Sequence, residues 1–213
     1  MLMRLFIVPF APNVLRVQIF AAEQGVVLEF IDISTDHTAY HTINPLRQVP
    51  SLELDDKRIL TESLTICQYL DEASGAPSLF GNNADERLQI AMWERRGEAG
   101  LFNPGVEYGH QVHPMFAGRM KQFPDFAATL LPKAEQTLTV FADQLDHMPY
   151  VTGDRLTVAD ITSFLGYVWF VAYGGMVPSN RLSIRSWSER MMARDSMTNL
   201  RQLMAYFKMP PLN

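Results

Sequence analysis

Pro50 stands directly after Val49 and opens the short run Ser51-Leu52-Glu53-Leu54, and it limits what this segment can become. Proline has no backbone N–H, so within a sheet it is confined to an edge, a bulge or the first residue of a strand. Ser51 to Leu54 therefore reads as a strand whose ladder is interrupted at Pro50. The backbone groups of Val49 are then free to pair with something else, such as an extended ligand added as one more strand. On spacing alone Pro50 is an ordinary strand-starting proline; a cis Val49–Pro50 bond would reverse the chain sharply and aim those groups outward.

A turn at Asp55-Asp56 and a second short strand, Arg58 to Leu60, lead to Thr61-Glu62-Ser63. Leu64, Ile66, Cys67 and Leu70 then mark one face of a helix running from Ser63 to about Ala73. The first N–H groups of a helix are unpaired and carry partial positive charge. A ligand carboxylate can be held there with help from the Ser63 hydroxyl, while Glu62 accepts from a ligand ammonium. A second reading stays open, in which Thr61 or Ser63 caps the helix and holds nothing else.

Upstream, Leu5 to Val8 reads as an apolar strand, Val14 to Gln24 as a helix ended by Gly25, and Leu28 to Ile33 as a second strand, with an irregular polar stretch from Ser34 to Thr42. The breaker-rich segment from Ser74 to Asn83 reads as a linker. Beyond it the period is helical. Asp85 to about Leu101, Ala127 to Leu145, Val158 to Tyr173 and Ser183 to Ala205, the last broken near Arg194 to Met197, are the expected helices. Thr157-Val158-Ala159-Asp160 fits an N-cap with its partner at N3, and Leu156 and Ile161 hold the positions of a hydrophobic staple.

These features, in this order, resemble the glutathione transferase superfamily. Val49-Pro50 and Glu62-Ser63 look like its glutathione-binding elements, and Arg4 to Gly25 is similar to its first strand, active-site loop and first helix. Gly153-Asp154-Arg155-Leu156-Thr157-Val158-Ala159-Asp160 is similar to the helix-capping segment of its C-terminal domain. The Ala11-Pro12-Asn13 loop and Trp93-Glu94-Arg95-Arg96 look like bacterial members. The resemblance implies an α/β plus all-α architecture. Residues 1–76 would form a thioredoxin-like glutathione-binding domain on a mixed four-stranded sheet, 77–84 a linker and 85–213 a helical bundle domain. It also implies glutathione as co-substrate, a homodimer, and an apolar electrophile bound between the domains, where Phe10, Tyr108 to Phe116 and Trp169-Phe170 are candidate lining residues.

Such an enzyme stabilises the glutathione thiolate, because a thiol with its ordinary pKa of about 8.5 is mostly protonated at neutral pH. The family commonly places a hydroxyl or a cysteine after the first strand, but no hydroxyl or thiol occurs from Leu5 to Gln18, and Ala11 stands where many bacterial relatives carry Ser or Thr. Asn13, with two amide N–H donors beside the start of a helix, is the expected catalytic donor, supported by backbone N–H groups and the helix dipole. Its other reading is a helix cap. Gln48, Val49, Pro50, Glu62 and Ser63 are the expected glutathione ligands, with a plain surface contact as the other reading of Gln48. Transfer of glutathione to an apolar electrophile is the expected reaction. Glutathione-dependent reduction of peroxide or disulfide, and a non-catalytic binding protein of the same fold, are the alternatives.

Composition narrows the rest. A formal charge of −5 with scattered basic residues provides no footprint for nucleic acid or an acidic membrane surface. The single cysteine, Cys67, lies on the apolar helix face as a core residue and leaves no CxxC pair. His37, His41, His110 and His113 lack metal-ligand spacing and read as polar loop residues, so no metal is expected. No stretch reaches the roughly 20 apolar residues of a membrane span, and the cytoplasm is the expected compartment.

Overall fold

The computed structural model describes residues 2–35, 40–175 and 181–212. His37, and part of the stretch between the second and third strands, lie outside these residues. Contacts divide the chain into two units. One comprises the residues up to Ser78 together with Arg194–Leu203, and the other Leu79–Ala193 together with the residues from Met204 onward.

The first unit is built on strands β1 (Arg4–Ile7), β2 (Glu29–Asp32), β3 (Ser51–Glu53) and β4 (Ile59–Leu60), with helices α1 (Pro12–Glu23) and α2 (Ser63–Ser74). The sheet order is β2-β1-β3-β4; β1 and β2 are parallel, and β3 runs antiparallel to both β1 and β4. This is the mixed four-stranded sheet expected from the sequence. Leu5 and Leu52 face each other across β1 and β3 and are fully buried. Val14, Leu15, Val17, Ile19 and Phe20 on α1, and Ile66, Cys67 and Leu70 on α2, are buried where the two helices pack against each other. Cys67 is thus a core residue.

Arg194–Leu203 joins this unit through polar and apolar contacts. The Arg194 guanidinium donates Nε–H and Nη2–H to the two Glu23 carboxylate oxygens at 2.6 and 2.7 Å, and the Ser196 hydroxyl donates to the same carboxylate. Met197, Leu200 and Leu203 are fully buried.

The second unit contains α3 (Ala84–Gly97), α4 (Asn103–Val112), α5 (Pro124–Leu145), α6 (Val158–Ala172) and α7 (Leu182–Met192). The short 3-10 turn Asp195–Met197 and α8 (Thr198–Tyr206) as far as Leu203 belong to the first unit. The break near Arg194 falls where the sequence places it. Helix α4 does not appear in the sequence reading, because Pro104 and Gly105 look like breakers. The structure carries the chain through them by widening Glu98–Phe102 into a π-helical turn, in which the Asn103 N–H donates to the Glu98 carbonyl five residues back. Proline in a regular helix would lose its i−4 hydrogen bond and clash with the i−4 carbonyl; the wider turn absorbs the missing donor. His110 consequently sits inside a helix, not in a loop.

The α6 N-terminus forms the capping box read from the sequence. Asp160, fully buried, accepts from the Thr157 N–H and hydroxyl, both at 3.0 Å, from the Val151 N–H at 2.8 Å and from Trp187 Nε1–H at 3.0 Å. Burial pushes this carboxyl above its ordinary value, against the hydrogen bonds that favour its charge.

Candidate functional site

The strand register brings three separated segments to one end of the sheet. Phe6, next to the last residue of β1, pairs with Ser51, the first of β3, and Leu60 at the end of β4 pairs with Leu52. The loop after β1, the Val49–Pro50 turn before β3 and the β4-to-α2 junction therefore share that end. Asn13, Val49, Pro50, Glu62 and Ser63 all belong to these segments.

In the loop after β1, Phe10 takes a positive φ of 65° and the Ala11 N–H donates to the Val8 carbonyl at 3.2 Å. Ala11 is the N-cap of α1 and has no side chain to cap with; Pro12 follows as the first helical residue. Asn13 is already inside the helix, so the capping reading of Asn13 is not realised. An N-cap must stand just outside the first turn with extended backbone.

At the β4-to-α2 junction Glu62 occupies the N-cap position with φ 63° and ψ 113°, and its side chain makes no capping hydrogen bond. Such a conformation costs a non-glycine residue on the order of 1–3 kcal/mol. The Glu62 carboxylate is exposed and, among the described residues, makes no hydrogen bond. Ser63 is the first residue of α2 and is buried. Its hydroxyl donates to Asn13 Oδ1 at 2.8 Å rather than capping its own helix.

The Val49–Pro50 bond is cis, in place of the trans bond of an ordinary strand-starting proline. Long-range contacts that local spacing cannot display surround it. Pro50 is buried, and Val49 packs against the cluster of Phe6, Ile33 and Tyr40. The Gln48 carbonyl accepts from the Tyr40 hydroxyl at 2.7 Å and from Asn44 Nδ2 at 2.8 Å. Ser51 Oγ lies 2.6 Å from the Tyr40 hydroxyl and accepts from Asn44 Nδ2, while Asn44 Oδ1 accepts from the Leu46 N–H. Tyr40 and Asn44, both nearly fully buried, hold the turn without belonging to the expected ligand set. The Asn44-Pro45 dipeptide is a turn signal that could have drawn attention to Asn44; nothing local marks Tyr40. The Gln48 side chain itself is exposed.

In the second unit, the aromatic candidates divide. Phe170 is core, whereas half-buried Tyr108 lies 5.1 Å from the Tyr173 ring, which stacks on Trp169 at 6.1 Å. Burial, and then the neighbouring Tyr108, push the Tyr173 hydroxyl up to about 12. Among the described residues no group of three or more His, Cys, Asp or Glu side chains could hold a metal ion, and no helix is long and apolar enough to cross a membrane.

Known proteins share this arrangement. The model of the glutathione S-transferase N-terminal domain matches residues 5–78. The chain is 29% identical over 204 residues to glutathione S-transferase 2 of Saccharomyces cerevisiae, covering 92% of this chain and 88% of that protein. It superposes with a TM-score of 0.83 on the crystal structure of a glutathione S-transferase domain-containing protein from Marinobacter aquaeolei, at 32% identity over 92% of this chain and all of that one. The crystal structure of Gtt2 from Saccharomyces cerevisiae gives a TM-score of 0.84 at 29% identity, covering 92% of this chain and 99% of that one. A mixed sheet followed by helices, with these loops gathered at one sheet end, is the architecture of the glutathione transferases. The chain belongs to that family.

Proposed function

We propose that the protein is a glutathione transferase that binds glutathione at the sheet end carrying Val49, Glu62 and Ser63, stabilises its thiolate with Asn13, and transfers it to an apolar electrophile. The observation that carries this reading is the state of the β4-to-α2 junction. There an exposed Glu62 carboxylate that makes no hydrogen bond among the described residues is held in a strained backbone beside a helix N-terminus. Strain of this kind persists where surrounding structure enforces it, and it concentrates at ligand sites.

The residues present fit the tripeptide. Val49 offers backbone groups to an extended peptide, Glu62 accepts from its ammonium, and the first N–H groups of α2 receive its carboxylate. Glutathione supplies the nucleophilic sulfur when bound. Asn13, as an N–H donor at the start of α1, lowers the cost of negative charge at that sulfur, and the α1 dipole acts in the same sense. Gln48 contributes its side chain at the edge of the site. The reading includes a cytoplasmic homodimer, as the family usually forms.

Ala11 favours a second reading, a glutathione-binding protein without turnover, because the position offers no hydroxyl. Reduction of peroxides or disulfides is the nearest enzymatic variant. Calorimetric titration with glutathione followed by a panel of electrophiles and peroxides separates the three. Conjugation supports the proposal, peroxide turnover alone supports the reductase, and binding without turnover supports the carrier. Absence of glutathione binding contradicts all of them and leaves the non-catalytic binding protein of the same fold.

A further inference from the structure

Arg47 is the only Lys or Arg between Arg16 and Lys57, in a stretch that also holds Glu29, Asp32, Glu53, Asp55 and Asp56. It is exposed, and among the described residues its guanidinium makes no hydrogen bond or ion pair. Its backbone N–H donates to the Asn44 carbonyl at 2.9 Å, closing a turn with Pro45 and Leu46 at the centre, and its φ is 56°. Glycine is the ordinary occupant of such a position, where a side chain crowds the backbone. Five non-glycine residues among those described take a positive φ, and three of them, Phe10, Arg47 and Glu62, stand in the three segments gathered at the site end of the sheet. Of the other two, Lys57 is paired with Glu53 at 2.7 Å and Lys208 belongs to the second unit.

Resting on the proposed glutathione site, we infer that Arg47 is a specificity-determining residue: it receives the carboxylate at the glycine end of the tripeptide, so that the site selects thiol peptides that end in a carboxylate. Glutathione carries two carboxylates. The one beside the ammonium travels with it to Glu62 and the α2 N-terminus, and the residues assigned to the site leave the glycine carboxylate without a cation. The sheet order decides where that end lies. Glu62 follows β4, on the outer side of β3, whereas Val49 packs on Phe6, Ile33 and Tyr40, towards β1 and β2. A ligand extended along Val49 with its ammonium at Glu62 therefore carries its other end towards the segment between Tyr40 and Gln48. Arg47 stands in that segment, its Cα within about 7.6 Å of the Val49 Cα by chain geometry, a span that an arginine side chain covers. A guanidinium meets a carboxylate with two parallel N–H donors. The turn that carries it is held from beneath by buried Asn44, which donates to the Gln48 carbonyl and accepts from the Leu46 N–H.

The test is calorimetric titration of wild type, Arg47→Gly, Arg47→Ala and Arg47→Lys with glutathione and with its C-terminal amide, in which the glycine carboxylate is neutral. Wild type is expected to bind glutathione about three- to tenfold more tightly than the amide, a preference that shrinks as salt is raised. Arg47→Gly and Arg47→Ala bind glutathione weaker by the same factor and bind the two ligands alike, while Arg47→Lys keeps part of the preference. Arg47→Gly suits a φ of 56°, so its thermal midpoint does not fall, and its weaker binding is not a folding defect. A wild type that binds both ligands equally overturns the inference and leaves the glutathione site standing. So does an Arg47→Gly variant that still prefers glutathione, or one that loses affinity for both ligands by the same factor, which would make Arg47 a support of the turn. A wild type that binds neither ligand overturns the underlying reading as well.

Discussion

The Tyr40 hydroxyl donates to the main-chain carbonyl of Gln48 at 2.7 Å, from a side chain that is 2% exposed. The contact fixes the turn that leads into Val49 and Pro50. With Asn44 on the same carbonyl and Ser51 on the same hydroxyl, it forms a small closed network behind the site. Tyr40→Phe leaves the Gln48 carbonyl one partner and removes one from Ser51. The expected loss is about 1–2 kcal/mol of stability by urea unfolding. Glutathione affinity falls with it, because the turn is less well ordered before binding. Unchanged affinity in a destabilised variant would separate the network from the site.

Glu62→Ala removes a charged acceptor from the site without touching the core. A hydrogen bond to a charged group contributes about 1.5–3 kcal/mol, so glutathione binding is expected to weaken more than tenfold in calorimetry. The thermal midpoint stays close to wild type, since the Glu62 side chain is exposed and, among the described residues, makes no hydrogen bond.

Glu23→Gln tests the clasp that joins Arg194–Leu203 to α1. Burial pushes the Glu23 carboxyl up, but the hydrogen bonds of Arg194 and Ser196 and the Arg194 charge outweigh it and hold the group below its ordinary value. A carboxyl depressed in the folded state binds fewer protons than in the unfolded chain. Its stabilising contribution is therefore present above the unfolded value and is lost as pH falls through the folded one. Urea unfolding from about pH 6 to 3 should show a steeper acid loss in wild type than in Glu23→Gln. Parallel profiles would assign the acid sensitivity to other groups.

Gly166→Ala tests the close packing of α6 on the π-helical turn. A Cβ at Gly166 would stand 2.5 Å from the Phe102 backbone nitrogen and 2.7 Å from the Leu101 carbonyl carbon. Backbone atoms cannot swing aside as side chains do, so a loss of about 3 kcal/mol and a lowered melting temperature are expected. A variant as stable as wild type would show that the turn can shift.

The parts of this structure legible in the sequence are those where a local pattern and its physical cause coincide. The apolar strand and helix of β1 and α1, the Thr157–Asp160 spacing at the start of α6, and the break before α8 all announce themselves within a few residues. Helix α4 does not, because Pro104 and Gly105 carry a breaker signal that the widened turn cancels only through its contacts with α6 and α5. At the site, the sequence brings Asn13 and Ser63 to notice separately, each with a capping reading that either residue could satisfy locally. Their partnership, like the support of Gln48 by Tyr40, spans segments that only the folded sheet brings together.

The most direct test of the account is calorimetric titration of the wild-type protein with glutathione at neutral pH, with thiolate absorbance of the complex followed in parallel. The account predicts saturable binding and a bound thiol pKa below the free value of about 8.5. Absence of binding, or binding with the thiol pKa unmoved, would contradict it.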